Sequence, residues 1–333
     1  MSLCVSRIRL RLACLLLLAV AGCGLVTPGT TPEDAPRLLS PFRETALVVS
    51  AARSSLAPPG PAQRPAAVEV SPMAWRDGTV TWLGHASLLV RQAGQSILID
   101  PVLDTSDEGW IALLRRVGAP ADLSGLDRLD AVLITHDHRD HFDISSLAML
   151  AARFPEARLI LPRDAALRAA LPFASVARVD PWQDLRIGAL HVTALPVVHH
   201  GSSPVFAGVG PRSLALGYAL RGGGRAVLAA GDTGLGPVFN EIGARLGPFD
   251  LAMVPIASGD PASVFGHMHA SPEDAVTIAT RLRARRAMPI HWGMFPVIRV
   301  SHGPVVDRFV TAAQAADMPT IVLPVGGTVP IRP

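Results

Sequence analysis

Not one lysine occurs among the 333 residues of this chain, so its 30 basic side chains are all arginine. A Schiff base or a lysine general base is thereby excluded. Cysteine is nearly as scarce, and Cys4, Cys14 and Cys23 all lie within the first 23 residues. Beyond them no disulfide and no thiolate metal ligand can form, so stability must come from the hydrophobic core. Aromatic residues make up only 5% of the chain, and no basic stripe carries them interleaved. The densest basic spots, Arg115-Arg116 and Arg281 to Arg286, read as solvated helix faces, which argues against a nucleic-acid partner. No internal repeat is present either.

What is present begins with Arg7, Arg9 and Arg11, then the apolar run from Leu12 to Ala21, then Gly22-Cys23. The run falls short of the roughly 20 residues that span a bilayer. Its layout is that of a secretory leader. The end resembles the lipobox of bacterial lipoproteins, which makes Cys23 the expected acylated first residue after removal of residues 1–22. A plain leader cut nearby, or an uncleaved N-terminal anchor, is the alternative. Gly24 stands where inner-membrane retention favours aspartate, so the expected place is the outer membrane, with the body facing the periplasm. Loss of the leader removes three arginines and no acids, taking the basic count from 30 to 27 against 27 acids. The pI of about 9.2 is thus partly a leader effect.

Residues 23–72 are rich in Pro and Ala, with Pro58-Pro59-Gly60-Pro61 near the centre, and read as a tether with a short helix near 42–52. Residues 73–333 have the length of one large domain. Short apolar runs predict strands at 79–83, 87–90, 96–100, 131–135, 158–161, 190–195, 213–220, 225–230, 251–256, 287–290 and 320–325. Helical patterns cover 144–153, 163–170, 237–246, 272–285 and 304–316. Ser271-Pro272-Glu273-Asp274 supplies a cap, a proline at the first helical position and acids in the first turn. Two blocks of strands, each followed by helices, predict an α/β fold with two mixed sheets face to face and helices outside, a four-layer αβ/βα sandwich.

The chemistry is concentrated in Thr135-His136-Asp137-His138-Arg139-Asp140-His141, between an apolar strand and a helix. A solvated polar turn is the plain reading. Yet neutral imidazole and carboxylate are ligands that zinc, iron and manganese accept, and the His-x-His-x-Asp-His spacing can serve two adjacent ions. His199 follows Leu195-Pro196, Asp232 follows Ala226 to Ala230, and His291 follows Ile290, each at or just beyond a strand end. Loops converge at that edge in α/β folds. Each residue alone reads more readily as a cap or a satisfied polar group; together with the heptapeptide they read as a site. His200 competes with His199 for the role.

The order Gly84-His85, His136-x-His138-x-Asp140-His141, His199, Gly231-Asp232-Thr233, His269 and His291-Trp292-Gly293 resembles the metallo-β-lactamase superfamily. Thr81 to Ser87, Ile99-Asp100-Pro101, Pro196-x-x-His199, His269 to Ala275 and Ile290 to Phe295 are most similar to the branch of N-acyl-phosphatidylethanolamine phospholipase D and the ascorbate-6-phosphate lactonases. The resemblance implies the metallo-hydrolase/oxidoreductase fold and two Zn2+ ions, with Mn2+ or Fe2+ as substitutes. His136, His138 and His199 are implied for one ion, Asp140, His141 and His291 for the other, and Asp232 as the bridge. An acidified water between the ions is the implied nucleophile. His269 is implied near the site, as a hydrogen-bond donor or a leaving-group acid. Asp140, Asp232 and His269 are thus the expected catalytic residues. His85 is either a pocket residue or a structural turn histidine, and Asp100 either orients a ligand imidazole or caps its strand. His191, His267 and His302 read as surface or capping groups.

Departures fall on the pocket walls. Arg139 stands where the branch usually has tyrosine, Ala257-Ser258-Gly259 replaces Gly-Ala-Tyr, and Ala215 replaces an aromatic. The expected function is a zinc-dependent phosphodiesterase acting on a phospholipid-like substrate, held near lipid through Cys23. A lactonase or amidase, or a non-catalytic metal-binding envelope lipoprotein, is the alternative, and nothing in the sequence fixes the oligomeric state.

Overall fold

Alternation decides which way each strand faces, and in the first half of the domain both registers are apolar. Leu88 and Val90 join one core cluster and Leu89 another; Ile97 and Ile99 divide from Leu98 in the same way, as do Ala131 and Leu133 from Val132. Strands buried on both faces need a layer on each side.

The computed structural model describes residues 66–68, 75–103, 123–165, 170–201, 213–257, 266–294 and 304–333. The leader, Cys23, the helix near 42–52 and Arg115-Arg116 lie outside the described residues. Among those residues no helix is long and apolar enough to cross a membrane.

The strands are β1 (Thr79–Gly84), β2 (Ser87–Gln92), β3 (Gln95–Ile99), β4 (Ala131–Leu133), β5 (Arg158–Pro162), β6 (Ser175–Val179), β7 (Asp184–Ile187), β8 (Leu190–His200), β9 (Leu214–Gly222), β10 (Arg225–Ala229), β11 (Leu251–Pro255), β12 (Ala287–Ile290) and β13 (Thr328–Pro330). The helices are α1 (Ile144–Arg153), α2 (Val238–Leu246), α3 (Pro272–Arg281) and α4 (Val305–Ala315). One sheet has the order β13-β1-β2-β3-β4-β5-β6, the other β12-β11-β10-β9-β8-β7. Each is mixed: β3 through β6 are parallel, as are β10 through β12, while the remaining pairs are antiparallel.

α1 sets Leu147, Leu150 and Ala151 against Leu89, Leu98, Val132 and Leu159 on the outer face of the first sheet. α2, α3 and α4 bury Phe239, Ile242, Val276, Ile278 and Phe309 against the second. The result is the four-layer sandwich, and each such aliphatic or aromatic side chain contributes about 1.5–3 kcal/mol of burial. The two sheets are stitched beside the His-rich loop. Tyr218 Oη donates to the Ile134 carbonyl at 2.7 Å, and Leu216 N donates to the Thr135 carbonyl at 2.9 Å.

Differences from the sequence reading have physical causes. β6 and β7 are short and mostly exposed, so they lack the apolar runs that mark the inner strands. The edge expected at 320–325 is reduced to isolated bridges at Thr320 and Val325, and β13 occupies the position beside β1 instead. Pro324 cannot donate to a ladder there. α3 ends at Arg281 rather than 285, because Arg283 takes a left-handed φ of 57°. Arg163 and Asp164 form a turn where a helix over 163–170 was expected, and residues 166–169 lie outside the described set. Ala67, within the expected tether, pairs in parallel with Val325.

The start of α3 is fixed by a capping box. Asp274 N donates to Ser271 Oγ at 3.1 Å, and Ser271 N donates back to Asp274 Oδ2 at 3.2 Å. Ser271→Ala is expected to cost about 0.5–2 kcal/mol, seen as a lower denaturant midpoint at unchanged slope.

Candidate metal centre

Seven segments deliver polar side chains to one edge of the sandwich. Asp100 follows β3, the heptapeptide follows β4, Asp232 follows β10 and His291 follows β12. His85 sits in the β1–β2 turn and His269 just before α3. His199 lies within β8, which continues through His200 instead of ending at 195; its pairing with β9 slips between Pro196 and His200. Gly231 permits the close approach of the Asp232 loop. Its φ is 61°, and a Cβ there would stand 2.8 Å from Thr135 Cβ.

These side chains form two groups of ligand-type atoms, each within 4.8 Å of one another: His136, His138, His199 and Asp232, and His85, Asp140, His141 and His291. In the first, His138 Nδ1 lies 2.8 Å from His136 Nε2 and 3.3 Å from His199 Nε2. Asp232 divides its two oxygens. Oδ1 lies 3.1 Å from His291 Nε2 and 3.4 Å from His141 Nε2, whereas Oδ2 lies 3.9 Å from both His136 Nε2 and His199 Nε2. In the second group Asp140 Oδ2 is 3.7 Å from His291 Nε2 and 3.9 Å from His141 Nε2.

Outer partners decide which nitrogen of each ring faces inward. Thr135 Oγ1 donates to Asp100 Oδ2 at 2.6 Å, so it can only accept from His136 Nδ1, 3.0 Å away. His199 Nδ1 donates to the Met268 carbonyl at 2.8 Å, and His141 Nδ1 to Asp100 Oδ2 at 2.8 Å. The Nε2 atoms of His136, His199 and His141 are thereby turned to the interior. Asp100 also reaches the backbone of the loop after β4, where Oδ1 accepts from Thr135 N at 2.7 Å. His85 occupies the β1–β2 turn at φ 50°, and its Nε2 donates to Asp140 Oδ2 at 3.0 Å. The backbone of His291, itself at φ 61°, donates to the His85 carbonyl at 2.8 Å.

His269 Nδ1 lies 3.7 Å from Asp232 Oδ2, and Asp232, His269 and His291 make a third ligand-type group. His200 is in none of the groups; its Nδ1 donates to the Gly201 carbonyl at 3.1 Å. Asp137 turns away and accepts from Ser213 Oγ at 2.5 Å. His191 and His267 also stay outside the groups, and His302 lies outside the described residues. The supports from Thr135 Oγ1 and the Met268 carbonyl were not foreseen. The second is a backbone group and leaves no residue-type signal.

The electrostatics suit a cation. Burial holds the imidazoles of His136, His138 and His199 below their ordinary pKa, and brings His85 down to about 3 and His269 to about 4. Burial opposes charge on His141 and His291 too, but the Asp232 carboxylate leads a set of acids that lifts His141 well above its ordinary value and His291 to about 9. Asp232 and Asp140 are driven well below the carboxylate range by neighbouring imidazoles despite their burial. Among the described residues, His141 Nε2, His291 Nε2 and Asp232 Oδ1 are buried with no hydrogen-bond partner. Buried polar atoms of this kind are costly unless something binds them. The donor set of imidazole and carboxylate fits a divalent metal without thiolate.

The support from Asp100 should be measurable. Asp100→Asn keeps the volume but removes the anionic acceptor from His141, and is expected to weaken metal binding about 10–100-fold in a competition titration with a chromophoric chelator.

Comparison with known proteins agrees with this geometry. The model of the beta-lactamase superfamily domain matches residues 95–292. An uncharacterized protein of Mycobacterium tuberculosis is 30% identical over 256 residues, covering 74% of this chain and 67% of that protein. The N-acyl-phosphatidylethanolamine-hydrolyzing phospholipase D 1 of Caenorhabditis elegans is 30% identical over 232 residues, covering 65% and 64%. A metal-dependent hydrolase of Nitratidesulfovibrio vulgaris is 30% identical over 226 residues, covering 66% and 82%. Among solved structures, the metallo hydrolase Igni18 of Ignicoccus hospitalis superposes with a TM-score of 0.56 at 22% identity, covering 75% of this chain and 97% of that one. The diiron β-hydroxylase CmlA of Streptomyces venezuelae gives 0.58 at 21% identity, covering 77% and 54%. With the fold, the converging His and Asp side chains and these likenesses together, the chain belongs to the metallo-β-lactamase superfamily as a metal-dependent hydrolase.

Proposed function

We propose that the chain is a binuclear zinc hydrolase acting on a phosphodiester in a phospholipid-like substrate. The division of Asp232 between two groups of imidazoles carries the binuclear reading, because a carboxylate facing two ligand sets is placed to bridge two ions. His136, His138 and His199 would hold one ion and Asp140, His141 and His291 the other. Two such ions supply Lewis acidity and lower the pKa of a water toward neutrality.

The chain's own groups do the rest. Asp100, Thr135 and the Met268 carbonyl keep the ligand rings aimed. His269, with its pKa brought down by burial, is neutral at pH 7 and serves as a hydrogen-bond donor to the oxygen that gains charge, not as an acid. His85 holds Asp140. Support for a phosphodiester comes from the similarity to the nematode phospholipase D, together with the lipobox-like Cys23 that would keep the site beside lipid in the outer membrane.

A substrate panel tests this reading. The metal-loaded protein is expected to cleave bis(4-nitrophenyl) phosphate with dependence on zinc or manganese and to leave lactones intact. Lactone or amide cleavage without phosphodiester cleavage would replace the substrate class, and inactivity on all three would favour a non-catalytic metal-binding protein.

A further inference from the structure

A second built feature lies at the opposite edge of the second sheet, where the parallel strands β10, β11 and β12 begin. Arg221 at the end of β9, Arg225 opening β10, Asp250 before β11, Arg285 before β12 and Arg332 after β13 line a recess of about 320 Å³. That volume is at the lower end of small-ligand sites. Its charge is unbalanced. Asp250 is buried and already accepts from Ala226 N at 2.8 Å and from Arg332 Nε at 2.7 Å, with Arg285 Nε 3.6 Å away. Arg225 reaches the half-exposed Asp77 at 3.3 Å.

Among the described residues Arg221 has no carboxylate of its own. Its Nε and Nη2 are buried without a hydrogen-bond partner, and its guanidinium lies 5.2 Å from the Phe249 ring. A guanidinium presents donors in a planar fork suited to oxyanions, and buried donors left unpaired are costly. Four arginines facing one lining carboxylate leave an excess that one further carboxylate ligand would not neutralise, whereas a phosphate carries up to two charges and three or four acceptor oxygens.

We propose that this recess binds a phosphate group, at the edge of the sheet remote from the metal centre. The phosphate belongs either to a lipid headgroup or to a soluble phosphate compound. The proposal does not depend on the substrate of the metal centre, since the recess shares no lining residue with the ligand-type groups, its carboxylate Asp250 included.

The test is titration calorimetry of inorganic phosphate into the metal-loaded full chain at low salt. Arg221→Gln is expected to weaken this binding about tenfold or more, with hydrolysis of bis(4-nitrophenyl) phosphate unchanged. Arg285→Gln should weaken it about threefold to tenfold, and it stands in should loss of Arg221 disturb folding, because its side chain is 66% exposed. Vesicles separate the sources. Stronger retention on phosphatidylcholine with phosphatidylglycerol than on phosphatidylcholine alone, lost in the variants, assigns a headgroup; phosphate binding without that preference assigns a soluble compound. Equal phosphate affinity in the wild type and both variants, or no phosphatidylglycerol preference and no phosphate binding, overturns the proposal.

Discussion

Asp232→Ala is expected to lower hydrolysis by roughly three orders of magnitude or more and to reduce the bound metal from two ions per chain to one or none. The reason is positional. Asp232 faces His141 and His291 with one oxygen and His136 and His199 with the other, so one substitution removes the carboxylate that both sets of imidazoles share. It also removes the carboxylate that does most to hold His141 and His291 in the charged form. Their pKa values should fall, with Asp140 left beside both rings and Asp100 beside His141 as the remaining acids. Metal analysis and rate measurements on the same preparation check this, with circular dichroism to establish that the variant is folded. Full activity with two ions retained would remove the bridging role.

Chelation has the second large effect. Removal of the metal is expected to abolish hydrolysis, with restoration on adding zinc, and to lower the melting temperature because ligand binding stabilises the native state. Rebinding should depend on pH with a definite sign. In the metal-free protein His291 keeps its proton up to about pH 9, and His141 is raised as well. A metal must displace those protons, so affinity should climb as pH rises from 6.5 through about 9, where His291 titrates. A competition titration across that interval measures the slope. A flat profile would mean that the rings are already neutral and that Asp232 does not charge them.

Legibility in the sequence followed burial. The inner strands were readable because apolar residues occupy both of their registers, as in Ile97 to Ile99 and Leu251 to Ile256. The edge strands β6 and β7 were not, because Ser175, Arg178, Asp184 and Arg186 face solvent and break the pattern. α3 was readable from Ser271-Pro272-Glu273-Asp274, yet its end was misplaced, since nothing about Arg283 as a residue type announces a left-handed φ. At the site, the heptapeptide and the strand-end positions of Asp232 and His291 pointed to residues that the fold does bring together. The ring orientations were hidden. They depend on the Met268 carbonyl, 69 residues from His199, and on a hydroxyl whose neighbour in space, Asp100, is 35 residues away in sequence. Hydrogen bonds of that kind are set by the packing of two sheets.

Anomalous scattering at the zinc edge from crystals of the zinc-loaded protein tests the central claim most directly. Two peaks are predicted, one among His136, His138 and His199 and the other among Asp140, His141 and His291, with Asp232 between them. A single peak, or two peaks with Asp232 turned away from either, would contradict it.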